Sequence, residues 1–131
     1  MKVALGLGCD RGTPAATIAQ AIDEALAACG AQLADVVATA SIDLKADEAG
    51  LLQLAQARGW TIHFYCAAEL AVVDVPNPSE TVRKYTGTPS VSEAAALLVG
   101  GADQSQLIIE KHKLRGPDDR NATVSIARIP Q

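Results

Sequence analysis

Aromatic residues are scarce in this 131-residue chain: one Trp, one Phe and two Tyr, 3% of the sequence. A flat ligand would find little stacking surface. There is no excess of basic charge either. The formal net charge is −4, which excludes a general nucleic-acid binder. Cysteines are few and odd in number (Cys9, Cys29 and Cys66), with no Cys-x-x-Cys spacing. That argues against a disulfide framework and for free thiols in a reducing cytoplasm. With only His63 and His112 as histidines, no cluster has metal-ligand spacing. Neither a metal nor an organic cofactor is expected. No apolar run approaches the roughly 20 residues of a membrane span. The apolar start, Val3 to Gly8, is shorter than the apolar region of about 7–15 residues in a signal peptide. No internal repeat, like-charge run or inter-domain linker is present.

What the chain has is aliphatic bulk. Hydrophobic residues make up 49%, dominated by Ala, Leu, Val and Ile, and charged residues 20%. This composition predicts one globular domain over residues 1–131. A chain of this length buries roughly two-thirds of its unfolded surface.

The chemistry-bearing stretch is Gly6-Leu7-Gly8-Cys9-Asp10-Arg11-Gly12-Thr13. Val3-Ala4-Leu5 before it reads as a short buried strand. Thr13 is placed to cap the helix that follows, and Pro14 suits a first helical position. A strand, a glycine-rich turn and a helix N-terminus make an anion cradle. The spacing is not the dinucleotide fingerprint, because Arg11 stands where its third glycine belongs. It is not a P-loop, because Gly12 is followed directly by Thr13. A nucleotide site thus rests on this turn alone, and a turn that uses glycine only for packing is the plainer alternative.

Ile18, Ile22, Leu26 and Cys29 recur at helical spacing up to the Gly30 stop. Residues 36–40 read as a second strand, followed by a loop carrying Ser41, Asp43 and Lys45. Asp47 is the expected cap of a helix over 48–58. Residues 61–65 form a third strand, with His63 expected as a packed or hydrogen-bonded core residue. Short helices are expected at 67–73 and 79–85. Ser90-Val91-Ser92-Glu93 has the form of a capping box opening a further helix. Residues 107–111 and 123–128 read as the last two strands. A polar 112–122 connection, too short for a crossover helix, makes them an antiparallel hairpin with a long mobile loop. The expected fold is a three-layer α/β/α domain. Its mixed sheet of about five strands is mostly parallel, with a C-terminal antiparallel hairpin. Parallel strands place the 6–13 turn and the Ser41–Lys45 loop at one carboxyl edge, where open α/β sheets bind ligands.

Four stretches, in this order, resemble the carboxy-terminal domain family of the cobalamin biosynthesis protein CbiG and its stand-alone relative CobE. They are Gly6-x-Gly8-Cys9-x-Arg11-Gly12-Thr13, then Ala40-Ser41-Ile42-Asp43-Leu44-Lys45, then Gly87-Thr88-Pro89-Ser90-Val91-Ser92-Glu93, and finally Lys111-x-Lys113. The resemblance implies cobalamin biosynthesis, with a corrin-ring precursor as ligand and other enzymes of that pathway as partners. Two-domain CbiG proteins open a lactone on a cobalt-precorrin. With 131 residues and no counterpart of their amino-terminal domain, this chain looks like the stand-alone form. Asp10 departs from the basic residue expected at its position.

Corrin precursors carry acetate and propionate arms, which Arg11, Lys45 and Lys111 can grip through charge-assisted hydrogen bonds. The expected ligand-binding residues are Gly8, Cys9, Arg11, Gly12, Thr13, Ser41 and Lys45. The main expectation is an accessory or carrier protein for a precorrin-type intermediate. The alternative is a hydrolase acting on a precorrin lactone. Its candidate catalytic groups are Cys9, as a thiol activated by the helix terminus and Arg11, and Lys45, as a base.

Overall fold

The computed structural model describes residues 1–130. Strands β1 (Val3–Cys9), β2 (Val36–Ile42), β3 (Ile62–Tyr65), β4 (Leu107–Arg115) and β5 (Asn121–Arg128) form one sheet in the order β3-β2-β1-β5-β4. β1, β2 and β3 are parallel; β5 runs antiparallel to β1, and β4 antiparallel to β5. Helices α1 (Ala15–Ala28) and α2 (Ala49–Arg58) cover one face, and α3 (Ala67–Ala71) and α5 (Ser92–Gly100) the other. A fifth helix, α4 (Glu80–Thr86), has no buried residue. This is the three-layer α/β/α fold with a C-terminal hairpin.

Strand alternation divides the core. Val3, Leu5 and Leu7 of β1, with Val124 and Ile126 of β5, meet Ile18 and Ile22 of α1 and Leu51 and Leu54 of α2. Each such buried aliphatic side chain contributes about 1.5–3 kcal/mol. The opposite face is thinner: Ala40 and Ile42 of β2 meet Leu70 of α3 and Ala94 and Ala95 of α5. Small residues there bring α5 close to the strands. Gly6 shows how close: a Cβ on it would lie 1.7 Å from the Ser92 carbonyl oxygen.

Several local expectations are corrected. β1 does not stop at Leu5. It pairs with β5 through Cys9, so Gly6 and Gly8 belong to the strand and the turn begins at Asp10. β2 likewise continues to Ile42 and takes Ser41 out of the loop. Thr13 does not cap α1, whose N-cap is Pro14; its hydroxyl instead donates to the Asp10 carbonyl at 2.7 Å. Glu48, not Asp47, stands at the N-cap of α2. No capping box forms at α5, where Val91 is the N-cap. Ser90 Oγ accepts from the Ala94 N–H at 3.2 Å, and the Glu93 carboxylate turns inward. His63 is exposed, because β3 is an edge strand. The 112–122 connection is not a long loop. β4 extends to Arg115 and β5 starts at Asn121, so pairing consumes most of it.

Candidate functional site

The turn after β1 is held from three sides. The Asp10 carboxylate accepts from the Asn121 backbone N–H at 2.8 Å and from its side-chain amide at 3.0 Å. Arg120 Nε donates to the Arg11 carbonyl at 3.1 Å. Gly12 takes the left-handed conformation, φ 82°, that its tight turn requires. Its N–H donates to Glu48 Oε1 at 2.8 Å. The cradle is therefore occupied by an anion from the protein itself. Glu48 is only 3% exposed.

Arg11 completes this arrangement. Its Nη1 lies 2.9 Å from Asp47 Oδ1 and 3.1 Å from Glu48 Oε2, and Nη2 donates to the Leu44 carbonyl at 3.1 Å. The Asp47 hydrogen bond raises the Arg11 pKa, and the same bond lowers that of Asp47. The guanidinium thus fastens the β1 turn to the segment before α2.

Beside this clasp, on the α5 face of the sheet, lies a cleft of about 530 Å³ at the carboxyl ends of β1 and β2. Gly8 and Thr123 lie on its floor, and the nearest atom to a Cβ on Gly8 would be Thr123 Cβ, at 3.8 Å. Ile42, Leu44 and Val91 give it apolar walls, and Val82, Tyr85 and Thr86 of α4 close one side. Lys45, Lys111 and Lys113 line it as cations. At the start of α5, Ser92 and Glu93 also reach it. Among the described residues, no group of three or more His, Cys, Asp and Glu is arranged to hold a metal.

Of the seven residues expected to bind ligand, Gly8, Cys9, Arg11 and Lys45 line the cleft, whereas Gly12, Thr13 and Ser41 do not. Ser41 is fully buried, and its hydroxyl donates to the Leu7 carbonyl at 2.6 Å, tying β2 to β1. Thr13 is 1% exposed inside the turn. Cys9 packs against the α1-side core. Burial pushes its pKa up to about 11, while nearby Lys45 offsets this in part. The expectation of an acidified thiol is thereby reversed, since desolvation outweighs the two cations. Lys113, Ser92, Glu93 and the α4 residues line the cleft without being among those seven. The alternation Lys111-x-Lys113 places both lysines on one strand face once β4 is recognised as continuing past Lys111.

Residues 3–127 match the family described as Cobalamin synthesis G C-terminus. The chain belongs to that family. The cobalamin synthesis G C-terminus match is supported by a Priestia megaterium protein named cobalt-precorrin-5A hydrolase, 42% identical over 128 residues. That similarity covers 98% of this chain but 32% of the relative, so the chain spans about one third of that protein's length. Protein CobE of Sinorhizobium sp is 41% identical over 109 residues, covering 82% of this chain and 70% of its own. A crystal structure of CobE, a protein from the cobalamin (vitamin B12) biosynthetic pathway, superposes with a TM-score of 0.78 at 33% identity. It covers 99% of this chain and 95% of the CobE chain. No described helix is long and apolar enough to cross a membrane.

Proposed function

We propose that this cobalamin biosynthesis family member binds a corrin-ring precursor of the precorrin type in the cleft at the carboxyl edge. Its role is that of an accessory or carrier protein that passes the intermediate to another enzyme of the pathway. The observation that carries this reading is the cleft itself: apolar walls with three lysines, in a chain of net charge −4. Its volume of about 530 Å³ falls within the usual range of ligand pockets, roughly 300–1,000 Å³. A macrocycle larger than this seats one face or edge on Gly8 and Thr123 and directs its acid arms to the lysines. The thiols of Cys9, Cys29 and Cys66 are free, in keeping with a reducing, cytoplasmic setting.

The experiment is an anaerobic absorbance titration with mid-pathway precorrins, followed by mass analysis of the ligand. A spectral shift with unchanged mass is expected. Absence of a shift with every corrinoid would remove the ligand assignment.

A second reading, hydrolysis of a precorrin lactone, is favoured by the identity to the protein named cobalt-precorrin-5A hydrolase. Against it stands a Cys9 thiol held protonated at neutral pH, its pKa raised to about 11. Gain of water or loss of a fragment in the mass analysis would establish this reading in place of the first.

A further inference from the structure

Glu93 is a charged residue that the clasp does not use. It is 2% exposed, in the first turn of α5, at the cleft. Its Oε1 accepts from Ser92 Oγ at 2.8 Å, and Ser92 Oγ lies 2.8 Å from Ser125 Oγ on β5. Ser125 Oγ in turn lies 2.6 Å from the Glu110 carbonyl oxygen. Ser92 thus holds the carboxylate at Oε1, while the single Ser125 proton goes either to Ser92 Oγ or to the Glu110 carbonyl. Its other oxygen, Oε2, faces Lys111 Nζ at 3.6 Å.

Burying a carboxylate is expensive, and one ion pair longer than a hydrogen bond does not recover the cost as stability. What such an arrangement does supply is position. The Lys111 side chain is 39% exposed and that of Glu93 3%. The ammonium thus meets Glu93 on one side and the open cleft on the other. An ammonium carries three donors, so a bond toward Glu93 leaves others for a ligand. Lys113, two residues on, shares this strand face opposite Thr123. Among the described residues, Lys113 and Lys45 form no ion pair.

We propose that Lys111 and Lys113 form a carboxylate-gripping pair on the β4 side of the cleft, and that buried Glu93 is the positioning residue that fixes Lys111. The ligand class, a ring with free carboxylate arms, rests on the function proposed above. The positioning of Lys111 does not.

Two measurements separate these parts. Side-chain NMR of the ligand-free protein reads the mobility of the Lys111 ammonium. Restricted motion in the wild type and free motion in Glu93→Gln is expected; equal mobility in both overturns the positioning role, whether or not a corrinoid binds. Titration then compares a corrinoid bearing free acid arms with the same ring amidated. Wild type should prefer the acid form. Lys111→Met and Lys113→Met should each weaken acid-form binding by about tenfold, the scale of one charge-assisted hydrogen bond. Lys111→Arg should retain most of that binding. Glu93→Gln should weaken only the acid form. Equal loss for both rings would mark Glu93 as merely structural and overturn the proposal. Unchanged affinity in both Met variants would overturn the gripping pair. Failure of wild type to bind either ring would overturn the ligand class and the pair's assigned task, distinct from the NMR result.

Discussion

The Gly12 N–H donates to Glu48 Oε1 at 2.8 Å, so the anion in the glycine-rich turn is a side chain of the protein. Two sequence features 36 residues apart are thereby one structural unit. Arg11 closes the unit through Glu48 Oε2 and Asp47.

Glu48→Ala is expected to destabilise the fold by about 1–3 kcal/mol, because the Gly12 donor loses its partner and the Arg11 cation loses a buried counter-charge. Urea unfolding reads this directly. An unchanged midpoint would show that the turn holds without its carboxylate.

Two glycines on the same face of β1 should respond in opposite ways. Gly6→Ala drives a Cβ to within 1.7 Å of the Ser92 carbonyl oxygen. Overpacking of this kind costs about 1–3 kcal/mol or more. Gly8→Ala meets nothing closer than Thr123 Cβ at 3.8 Å and should fold normally. Gly8→Leu should also fold but fill the cleft floor, weakening corrinoid binding on the order of tenfold or more. Thermal melts of all three variants and a titration of the Gly8 pair test this. A stable Gly6→Ala would refute the close-packing account.

Cys9 should behave as a poorly reactive thiol. With its pKa raised from 9.0 to about 11, it stays protonated at neutral pH. Its alkylation rate should keep rising with pH to about 11, where that of a free thiol has already levelled off. The linkage has a definite sign. Between 9.0 and about 11 the unfolded chain loses this proton before the folded one does, so the Cys9 contribution lowers stability as pH rises through that window. Cys9→Ser should remove that part of the alkaline decline. A reactive Cys9 at pH 7 would reopen thiol chemistry.

On the acid side, His112 Nε2 lies 2.8 Å from Glu24 Oε1, joining β4 to α1. This hydrogen bond lowers the Glu24 pKa below 4.5. The contribution is present above 4.5 and is lost as pH falls through the lower folded value, when the carboxylate protonates. Glu24→Gln should flatten the acid limb of the stability curve at low pH. An identical acid limb in the variant would assign the decline to other carboxylates.

The architecture was readable from local patterns along the chain. The Ile18–Ile22–Leu26 stripe and the C-terminal antiparallel hairpin depend on local periodicity and on a short connection, and both appear in the structure. The family was legible too, because its four motifs follow in order along the chain. The roles of the polar residues emerge only from contacts between distant segments. Gly6 and Gly8 look like turn residues until β5 pairs with them. Arg11 looks like a free cation until Asp47 and Glu48 meet it. Glu93 looks like part of a capping box until Ser92 and Lys111 turn it inward. A hydrogen bond or ion pair needs a partner within a few ångströms, and the chain brings these partners from tens of residues away. Hydrophobic periodicity is written within one element, whereas the fate of a charge depends on which other element arrives beside it.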